Sequence, residues 1–475
     1  MRIVMKFGGS SVGDGTHIKH VAHLVKHFLD EGNKVVVVTS ALGGITDLLL
    51  KIAKKAATGV DSVYIREFIT NLAETHNQAA LDAIDEQTIA SGVLEKIDSR
   101  LGGLERVLND VCYSGRLTAR SLDYISSYGE RLAAPILSGA LRLEGVNSMA
   151  FTGDEAGIVT TSDYGNARPL ERTYLQVRER LGSLLEDSVP VVSGFIAKCE
   201  ADTVTTLGRG GSDFTASIIA AAIHADEIWL WKDVPGIMTT DPKIVPEAQV
   251  LHTISYIEAM EMSYFGAKVL HPRSIEPAIR HGIPVRVKST FEPELDGTLI
   301  VKEEKKMANT VKAISVITDM ALINISGVSM IGHIGVAARI FVALADAGVN
   351  IIMISQASSE ANISLVVERN HLDMAIAALQ SDFKNGIIKN VTCDKHIGVV
   401  AVVGSGMAGM PGVSGRIFSA IGTAQINVIM ISQGSSQHNI SFVVSIDDAY
   451  DVVRVLHREF GLDKMEFFIN KQVKT

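Results

Sequence analysis

Short apolar runs alternate with amphipathic stretches over the first 300 residues of the chain. Residues 17–32 carry apolar side chains at helical spacing and end at Gly32, which predicts an amphipathic helix between two strands. This alternation predicts a mostly parallel sheet that is covered by helices on both faces. Residues 47–145 are expected to be largely helical. The predicted buried strands are residues 3–5, 34–41, 189–197, 227–231 and 283–290.

The last part of the chain contains an internal repeat. Residues 327–367 recur as residues 404–444 at a constant offset of 77 residues, and about 23 of the 41 positions are identical. Each copy has the pattern of a loop, a helix, a strand, a tight turn and a second strand. The repeat predicts a duplicated α+β module whose copies pair side by side, and the charged residues 301–310 mark a boundary before it. The expected domains are residues 1–300, 311–390 and 391–475.

Size, charge and cysteine usage narrow the class of protein. With 475 residues, of which 47% are hydrophobic, the chain is expected to form more than one domain. A formal net charge of -9 argues against nucleic acid or an anionic membrane as the main partner. No apolar run reaches about 18 residues, so no membrane span is expected. Three widely separated cysteines without a CxxC pattern favour a reducing cytoplasm over disulfides or structural zinc.

The segment "MKFGGSS" follows the first predicted strand. A glycine turn between a strand and a helix presents backbone N–H groups and the positive end of the helix dipole to an anion. Lys6, at the end of the strand, would then reach a phosphate oxygen. The segment matches neither GxxxxGK[ST] nor GxGxxG, so the alternative to a phosphate site is an ordinary turn with a surface lysine.

Two further segments place charged residues at the start of a helix. In "TTLGRGGSDFTA", Arg209, Ser212 and Asp213 lie among three glycines. That combination suits a site that grips a carboxylate and orients a lysine or a magnesium ion, and a salt bridge at a surface turn is the alternative. In "SYGERLAAPILSGAL", Glu130 is expected in the first turn of an apolar helix, close to the core. Taken alone, it is best explained as a complement of the helix dipole.

The segments "WKDVPGIMTTDPK" and "FGAKVLHPRSIEPA" run from apolar sequence into turns that contain proline and glycine. They carry the cations Lys243 and Lys268. Both segments either line a nucleotide pocket or form two loops beside the sheet, and the residues themselves leave this open.

Taken together, these segments resemble aspartate kinases of the amino acid kinase family in their order and approximate spacing. The resemblance rests on "KFGGSSV", "SALGGIT", "SYGERL", "TTLGRGGSD", "DVPGIMTTDP" and "SYIEAMEMSYFGAKVLHPRSIEPA". It extends into the repeat, which resembles paired ACT modules. The implied fold is a three-layer α/β/α sandwich around a mainly parallel sheet (the amino acid kinase fold), with two C-terminal α+β ACT modules. The monofunctional form is expected, since no dehydrogenase-like segment follows Thr475.

The resemblance implies transfer of the γ-phosphoryl group of MgATP to the side-chain carboxylate of L-aspartate. The product would be 4-phospho-L-aspartate, in the first step of lysine, threonine and methionine biosynthesis. Such a transfer depends on positioning and on neutralising charge. By the resemblance, Lys6 is catalytic and is held by Asp213, and no side chain binds a metal apart from a contact of Asp213 with Mg²⁺. The implied phosphate loop is Gly8, Gly9 and Ser10, and the implied aspartate contacts are Ser40, Thr46, Glu130, Arg209, Gly210, Gly211 and Ser212.

The implied nucleotide-binding residues depart from common family usage at three positions. Met238 stands where a tyrosine often packs on adenine, and a methionine also covers a base through its polarizable sulfur. Lys232 stands where threonine or serine is usual, and Lys243 where arginine is frequent. These departures bear on base selectivity and nucleotide affinity. The full implied set is Lys232, Asp233, Met238, Lys243, Lys268 and Val269.

Two alternative functions remain at this point. Another amino acid kinase, acting on glutamate, acetylglutamate or carbamate, would resemble only the first 300 residues, and the ACT pair together with "SYGERL" favours aspartate. A non-catalytic amino-acid sensor with a degenerate kinase domain is the other alternative. The presence of Lys6, Arg209, Asp213 and Lys268 together argues against it.

The repeat predicts an allosteric amino-acid site. In each copy a glycine loop precedes a helix and suits a carboxylate, and a strand end offers carbonyls to an ammonium. The sequence "SQASSE" resembles threonine-sensitive members, so threonine is favoured over lysine as the effector. The two copies differ at Glu360 and Gln437, so binding by only one copy is an alternative. ACT pairing across subunits implies a homodimer or tetramer, in which the effector shifts a kinase-domain equilibrium. The expected effector contacts are Met330, Ile334, Asn350, Gln356 and Gln433.

Overall fold

The computed structural model describes residues 1–264, 270–302, 310–327, 330–357, 361–382 and 389–464. The chain divides into two compact units. The first unit comprises Met1–Ile237, His252–Tyr256 and Val269–Glu303, and the second comprises Met238–Leu251, Ile257–Lys268 and Glu304–Thr475. The second unit thus takes in two segments from within the first 300 residues.

The first unit alternates strands and helices, as the sequence pattern predicts. Its described strands are β1 (Arg2–Phe7), β2 (Lys34–Thr39), β3 (Ser148–Phe151), β4 (Val159–Thr160), β5 (Val189–Ser193), β6 (Ile196–Cys199), β7 (Val204–Thr206), β8 (Glu227–Lys232), β9 (Thr253–Ser255), β10 (Val285–Ser289) and β11 (Thr298–Val301). Its described helices are α1 (Gly15–Asp30), α2 (Ile45–Ala56), α3 (Ser62–Ala83), α4 (Gln87–Ser114), α5 (Ala119–Ser126), α6 (Tyr128–Leu143), α7 (Arg172–Gly182), α8 (Gly211–Ile223), α9 (Tyr256–Tyr264, which continues into the second unit) and α10 (Glu276–His281).

The main sheet of this unit has the strand order β3-β5-β2-β1-β8-β10-β11-β9 in the described part of the chain. Its neighbouring strands run parallel except for the antiparallel pair of β10 and β11. Strands buried on both faces need continuous apolar sequence, which explains runs such as "KVVVVT" in β2. The prediction of a mainly parallel sheet is confirmed.

The predicted strand over residues 189–197 is wrong in one respect. The chain leaves β5 at Ser193 and starts β6 at Ile196, which joins a separate small sheet of order β4-β6-β7. Between them Phe195 has a φ of 68°, a left-handed conformation that a continuous strand cannot contain. The apolar sequence continues through this break, so periodicity alone does not reveal it.

The two faces of the sheet receive different helices. Ile3, Met5 and Phe7 of β1 belong to a hydrophobic core that also contains residues of α1 and α6. Helix α8 packs on β1 and β8. Because side chains alternate along a strand, Lys6 lies on the face opposite Met5 and Phe7, which is the face where α8 begins.

His76 is a buried histidine in α3, and it predicts acid sensitivity. Its Nδ1 lies 2.8 Å from the Leu72 carbonyl oxygen, its Nε2 has no hydrogen-bond partner among the described residues, and burial lowers its pKa to about 4. In the unfolded chain the His76 imidazole binds a proton near pH 6.5, whereas in the folded protein it stays neutral down to about pH 4. The free energy of unfolding therefore falls as the pH drops from about 6.5 to about 4. Between pH 7 and pH 4 we expect the free energy of unfolding to fall by about 3 kcal/mol less in His76→Leu than in the wild type.

Urea unfolding at several pH values between 7 and 4 measures this difference. The matched control is His27→Gln, since His27 is exposed on α1. An equal pH dependence for wild type and His76→Leu would contradict the prediction.

The second unit contains the repeat and an antiparallel sheet. Its described strands are β12 (Ala313–Ser326), β13 (Ile351–Gln356), β14 (Asn362–Glu368), β15 (Asn390–Val403), β16 (Met430–Gln433) and β17 (Asn439–Ser445), in the order β13-β14-β12-β15-β17-β16. Its further described helices are α11 (Val336–Asp346), α12 (Leu372–Asp382), α13 (Val413–Thr423) and α14 (Ala449–Glu459). No helix in the described part of either unit is long and apolar enough to cross a membrane.

The two copies of the repeat are joined through the long strands β12 and β15, which pair with each other at the centre of this sheet. The end of β12 that contains Ile323 and Ile325 packs with α11 in one core. Ile314, near its beginning, packs with α13 and α14 in another core. Strand β12 therefore contributes to the cores of both copies, which holds them side by side.

Candidate active site

A buried cluster of charged side chains lies where strands β1 and β8 end. Lys6 Nζ lies 2.6 Å from Asp213 Oδ1, and the side chains are 7% and 6% exposed. Lys232 Nζ donates a hydrogen bond of 3.0 Å to Asp213 Oδ2, and its side chain is 18% exposed. Lys6 is supplied by β1, Asp213 by the first turn of α8 and Lys232 by the last residue of β8. One carboxylate thus holds two ammonium groups.

Burial and mutual charge set the protonation of this cluster. Burial is the largest influence on Lys6 and lowers its pKa to about 8, with the charge of Lys232 adding to the shift and Asp213 opposing it. Burial acts to raise the pKa of Asp213, but the charges of Lys232 and Lys6 outweigh it and lower that pKa to about 2. Asp213 is therefore ionised at neutral pH, and Lys6 is mostly protonated.

Glu130 lies in the first turn of α6, as the sequence predicts, and its side chain is buried. Its Oε2 has no hydrogen-bond partner among the described residues. Burial raises its pKa to about 8, against the opposing effects of the backbone N–H groups of Glu130 and Ala41 and the charge of Lys6. At pH 7 the group is largely a neutral acid. A cation placed beside it would convert it to a carboxylate.

The turn that follows β1 differs from the expected arrangement. Helix α1 begins only at Gly15, and Asp14 caps it by accepting a hydrogen bond from the His17 backbone N–H. The prediction that the glycine turn leads directly into the helix N-terminus is therefore wrong, because seven residues separate the end of β1 from α1 and an acidic residue caps the helix. Gly8 instead hydrogen bonds to Trp231, and a Cβ at Gly8 would lie 3.6 Å from Lys6 Nζ. Gly8 of this turn therefore borders the Lys6 ammonium.

The glycine loop before α8 fixes the start of that helix. Gly210 is its N-cap with a left-handed φ of 72°, and a Cβ there would lie 2.8 Å from the Cβ of His271. Ser212 is buried and packs on Gly194, where a Cβ would meet the Ser212 side chain at 2.6 Å. Arg209 is exposed, and no ion pair of the described residues includes it. Its guanidinium is thus available to a ligand.

The remaining expected aspartate contacts lie on the loop after β2 and in the first turn of α2. Ser40 directly follows β2, and its backbone N–H donates to the Phe7 carbonyl oxygen at 3.1 Å. Thr46 is half-buried in the first turn of α2. The same loop packs on α6, because a Cβ at Gly129 would lie 2.6 Å from that of Ala41.

The expected nucleotide residues do not form one group in the first unit. Lys232 contacts Asp213, and Asp233 beside it is exposed. Met238 and Lys243 belong to the second unit, where Met238 forms a bridge with Val250. Lys268 and Val269 lie outside the described residues.

Asp123 is a buried residue that the sequence did not single out. Its Oδ2 accepts hydrogen bonds from the backbone N–H groups of Gly165 and Thr206 at 2.9 and 2.8 Å, and its Oδ1 accepts one from the Thr206 hydroxyl at 2.9 Å. Thr206 lies three residues before Arg209, so Asp123 anchors the strand end from which the arginine loop departs. Nothing in its sequence surroundings distinguishes it from a surface aspartate.

The expected effector residues have different settings in the second unit. Met330 is buried in the core of the first copy, whereas Ile334 is 99% exposed and Asn350 is exposed. Gln356 and Gln433 are exposed at corresponding ends of β13 and β16.

Comparison with known proteins places this chain in a family. A profile of the amino acid kinase family matches residues 1–289, and an ACT domain profile matches residues 323–383 and 400–460. The chain is 35% identical over 473 residues to Aspartokinase 2, chloroplastic, of Arabidopsis thaliana, which covers 96% of this chain and 84% of that protein. It is 34% identical over 475 residues to the bifunctional aspartokinase/homoserine dehydrogenase, chloroplastic, of Daucus carota, with coverage of 97% and 51%. The chain therefore spans about half the length of such bifunctional relatives.

Solved structures of a bacterial relative match nearly the whole chain. The structure of E. coli aspartokinase III in complex with aspartate and ADP (R-state) matches with a TM-score of 0.80 and 28% identity, covering 97% of this chain and 99% of that one. The complex of that protein with lysine and aspartate (T-state) matches with a TM-score of 0.79 and 28% identity, covering 96% and 99%. The predicted fold class is confirmed. The chain therefore belongs to the amino acid kinase family and, within it, to the aspartokinases with C-terminal ACT domains.

Proposed function

We propose that this chain is an aspartate kinase, which transfers the γ-phosphoryl group of MgATP to the side-chain carboxylate of L-aspartate. The products are ADP and 4-phospho-L-aspartate, an acyl phosphate that begins lysine, threonine and methionine biosynthesis. The observation that carries the proposal is the buried cluster in which Lys6 and Lys232 share Asp213. It lies at the carboxyl ends of parallel strands, where open α/β sheets bind ligands.

The chemistry requires charge neutralisation more than proton transfer. An oxygen of the acceptor carboxylate attacks the γ-phosphorus, and the bond from that phosphorus to the β–γ bridging oxygen breaks. The electron pair of the broken bond remains on ADP. Because the acceptor is already ionised, no general base is needed. Lys6 neutralises the transferred group, Asp213 fixes the ammonium, and the magnesium ion of the nucleotide adds positive charge.

The two ends of the amino acid are assigned to different groups. Glu130 suits the ammonium, because a buried acid with a raised pKa gains a partner when a cation binds. Arg209 and Ser212 suit the α-carboxylate, with Gly210 and Gly211 admitting close approach of the substrate to the loop. Ser40 and Thr46 are the remaining proposed contacts. E. coli aspartokinase III, whose structure with aspartate and ADP resembles this chain, supports aspartate as the acceptor.

The nucleotide assignment rests on Lys232, Asp233, Met238, Lys243, Lys268 and Val269. Of these, Lys232 lies in the charged cluster of the first unit. The ADP in that E. coli structure supports ATP as the donor.

An acyl phosphate trap tests the proposed function. The full-length protein is incubated with MgATP, hydroxylamine and aspartate, and separately with glutamate, acetylglutamate or carbamate. We expect hydroxamate from aspartate with a kcat/KM at least about 100-fold above that for glutamate, since an extra methylene disturbs the alignment of the reacting atoms. Hydroxamate from glutamate but not aspartate would make the chain a different amino acid kinase, and none from any acceptor would favour the non-catalytic sensor.

The repeat supports a second, regulatory function. Helix α11 starts at the left-handed Gly335 without a side-chain cap, which leaves its N-terminus suited to a carboxylate. Helix α13 of the second copy starts in the same way, at the left-handed Gly412. The first copy is the proposed binding site because it carries the "SQASSE" sequence that resembles threonine-sensitive members. We infer that threonine, rather than lysine, binds there and inhibits the kinase in a dimer or tetramer. The E. coli relative with bound lysine makes lysine the necessary comparison.

Gln356→Ala tests the regulatory site, and Gln433→Ala is its matched control. If Gln356 hydrogen bonds to the threonine hydroxyl, its loss should raise the threonine concentration for half-inhibition by about 10-fold, equivalent to one hydrogen bond. Gln433→Ala should change it little. Inhibition assays and calorimetry with threonine and lysine measure both, and equal effects of the two variants would contradict binding by the first copy.

A further inference from the structure

Lys232 occupies a position that the nucleotide assignment does not explain. It is the last residue of β8, the strand that lies directly beside β1 in the sheet. Lys6 pairs with Leu230, and Lys232 lies two residues further along β8. Because side chains alternate along a strand, both lysines project from the same face at the same edge of the sheet. The fold thus brings two cations together from residues far apart in sequence.

The cluster has more positive charge than its own carboxylate can neutralise. The Asp213 carboxylate is already paired with Lys6 at 2.6 Å, so a second cation is not needed to neutralise it. Adding Lys232, which is partly buried, leaves the cluster with one excess positive charge while Glu130 is protonated, and excess charge away from water is costly. An anion bound at this point would remove that cost.

The hydrogen-bond donors lead to the same conclusion. Each lysine ammonium has three N–H donors. Among the described residues, Asp213 is the partner of both ammonium groups, and no other side chain pairs with either. Lys6 Nζ borders the Gly8 turn, where a Cβ would lie 3.6 Å from it, so this ammonium faces a turn without a side chain. Such donors match a group with several oxygens, as a phosphoryl group has.

We propose that Lys232 is a second catalytic cation, which contacts the transferred phosphoryl group together with Lys6 rather than binding the nucleoside. The inference rests on the proposed phosphoryl transfer. As the bond to the β–γ bridging oxygen breaks and the bond to the aspartate oxygen forms, negative charge spreads over the phosphoryl oxygens. Lys232 and Lys6 neutralise that charge, keep their protons, and are held apart by the two oxygens of Asp213.

Replacing Lys232 separates this role from simple pairing with Asp213. Lys232→Met keeps most of the length of the side chain and removes its charge, while Asp213 still pairs with Lys6. We expect kcat to fall roughly 30-fold, since a group that stabilises the transition state is lost, with the KM for aspartate nearly unchanged. MgADP with aluminium fluoride and aspartate, an analogue of the transition state, should bind about 30-fold more weakly, and MgADP alone less than about threefold more weakly.

Lys288→Met is the matched control. Lys288 is a buried lysine on the neighbouring strand β10, but it pairs with Trp231 in register and so faces away from Asp213. Its Nζ donates to the Leu295 carbonyl oxygen at 2.7 Å. We expect the activity per folded molecule of this variant to stay close to wild type, as judged against a thermal melt.

The outcomes distinguish this inference from the proposed function. An active wild type whose Lys232→Met variant loses kcat and analogue affinity supports the inference. An active wild type with unchanged kcat in folded Lys232→Met would overturn it and leave the kinase assignment standing. Equal weakening of MgADP and of the analogue would also overturn it, since Lys232 would then bind the nucleotide uniformly. A wild type that forms no acyl phosphate would overturn both.

Discussion

Replacing Lys6 with methionine should lower kcat about 100- to 1,000-fold while the protein remains folded. Lys6 is the ammonium that β1 delivers to the site, and Asp213 holds it at 2.6 Å. Loss of one preorganised group that stabilises the developing charge costs roughly 3–4 kcal/mol in the transition state. The side chain lies on the face of β1 opposite the core residues Met5 and Phe7, so its replacement leaves that core intact.

Asp213→Ala should be at least as damaging, for a different reason. Without the carboxylate, Lys6 and Lys232 are like charges in contact, and their repulsion moves both away from the phosphoryl position. Steady-state kinetics of both variants, together with thermal melts, measure these effects. A folded Lys6→Met variant with kcat near that of wild type would contradict the catalytic assignment.

Replacing Glu130 with glutamine should raise the KM for aspartate about 10- to 100-fold and leave the KM for ATP nearly unchanged. Glutamine keeps the shape of the side chain and removes the charge that would meet the substrate ammonium. A hydrogen bond to a charged group contributes about 1.5–3 kcal/mol, which corresponds to that range. Titrating each substrate while the other is saturating measures the KM for aspartate and the KM for ATP separately. An unchanged KM for aspartate would leave Glu130 only the role of complementing the helix dipole.

The raised pKa of Glu130 also predicts proton release on binding. In the free protein this pKa is about 8, so the group is mostly protonated at pH 7. The aspartate ammonium favours the carboxylate and lowers the pKa, so a proton leaves and affinity for aspartate rises between pH 6 and 8. Calorimetry in two buffers of different ionisation enthalpy counts the released protons. The difference between wild type and Glu130→Gln isolates this residue, and the absence of a difference would contradict the prediction.

The sequence predicted the individual strands and helices better than it predicted which strands lie next to each other in the sheet. Continuous apolar runs located β1, β2, β8 and β10, and the spacing of apolar positions located α1. The strand order could not be obtained in the same way, because β1 and β8 are adjacent in the sheet but more than 200 residues apart in sequence. The contact of Lys232 with Asp213 follows from that adjacency. Without that contact, the resemblance assigned Lys232 to nucleotide binding and not to the transferred phosphoryl group.

Two local features were missed although the sequence contains a signal for each of them. Asp14 followed by a helical pattern is an N-cap signal, and it places the start of α1 well after the glycine turn. Gly194 precedes the left-handed Phe195, and a glycine inside an otherwise apolar strand pattern is a signal for a break that periodicity alone does not reveal. Asp123 carries no such signal, since its three hydrogen bonds go to residues that are distant in sequence.

Reductive trapping of the product tests the central claim most directly. We propose that Arg209 binds the α-carboxylate of aspartate and that the side-chain carboxylate lies at the phosphoryl position between Lys6 and Lys232. Borohydride reduces an acyl phosphate to an alcohol, so a phosphoryl group on the side-chain carboxylate yields homoserine after incubation of the protein with MgATP and aspartate. The account predicts homoserine as the reduced product, identified by mass spectrometry against a standard. Reduction to 3-amino-4-hydroxybutyrate, which reports phosphorylation of the α-carboxylate, or recovery of unreduced aspartate alone would contradict it.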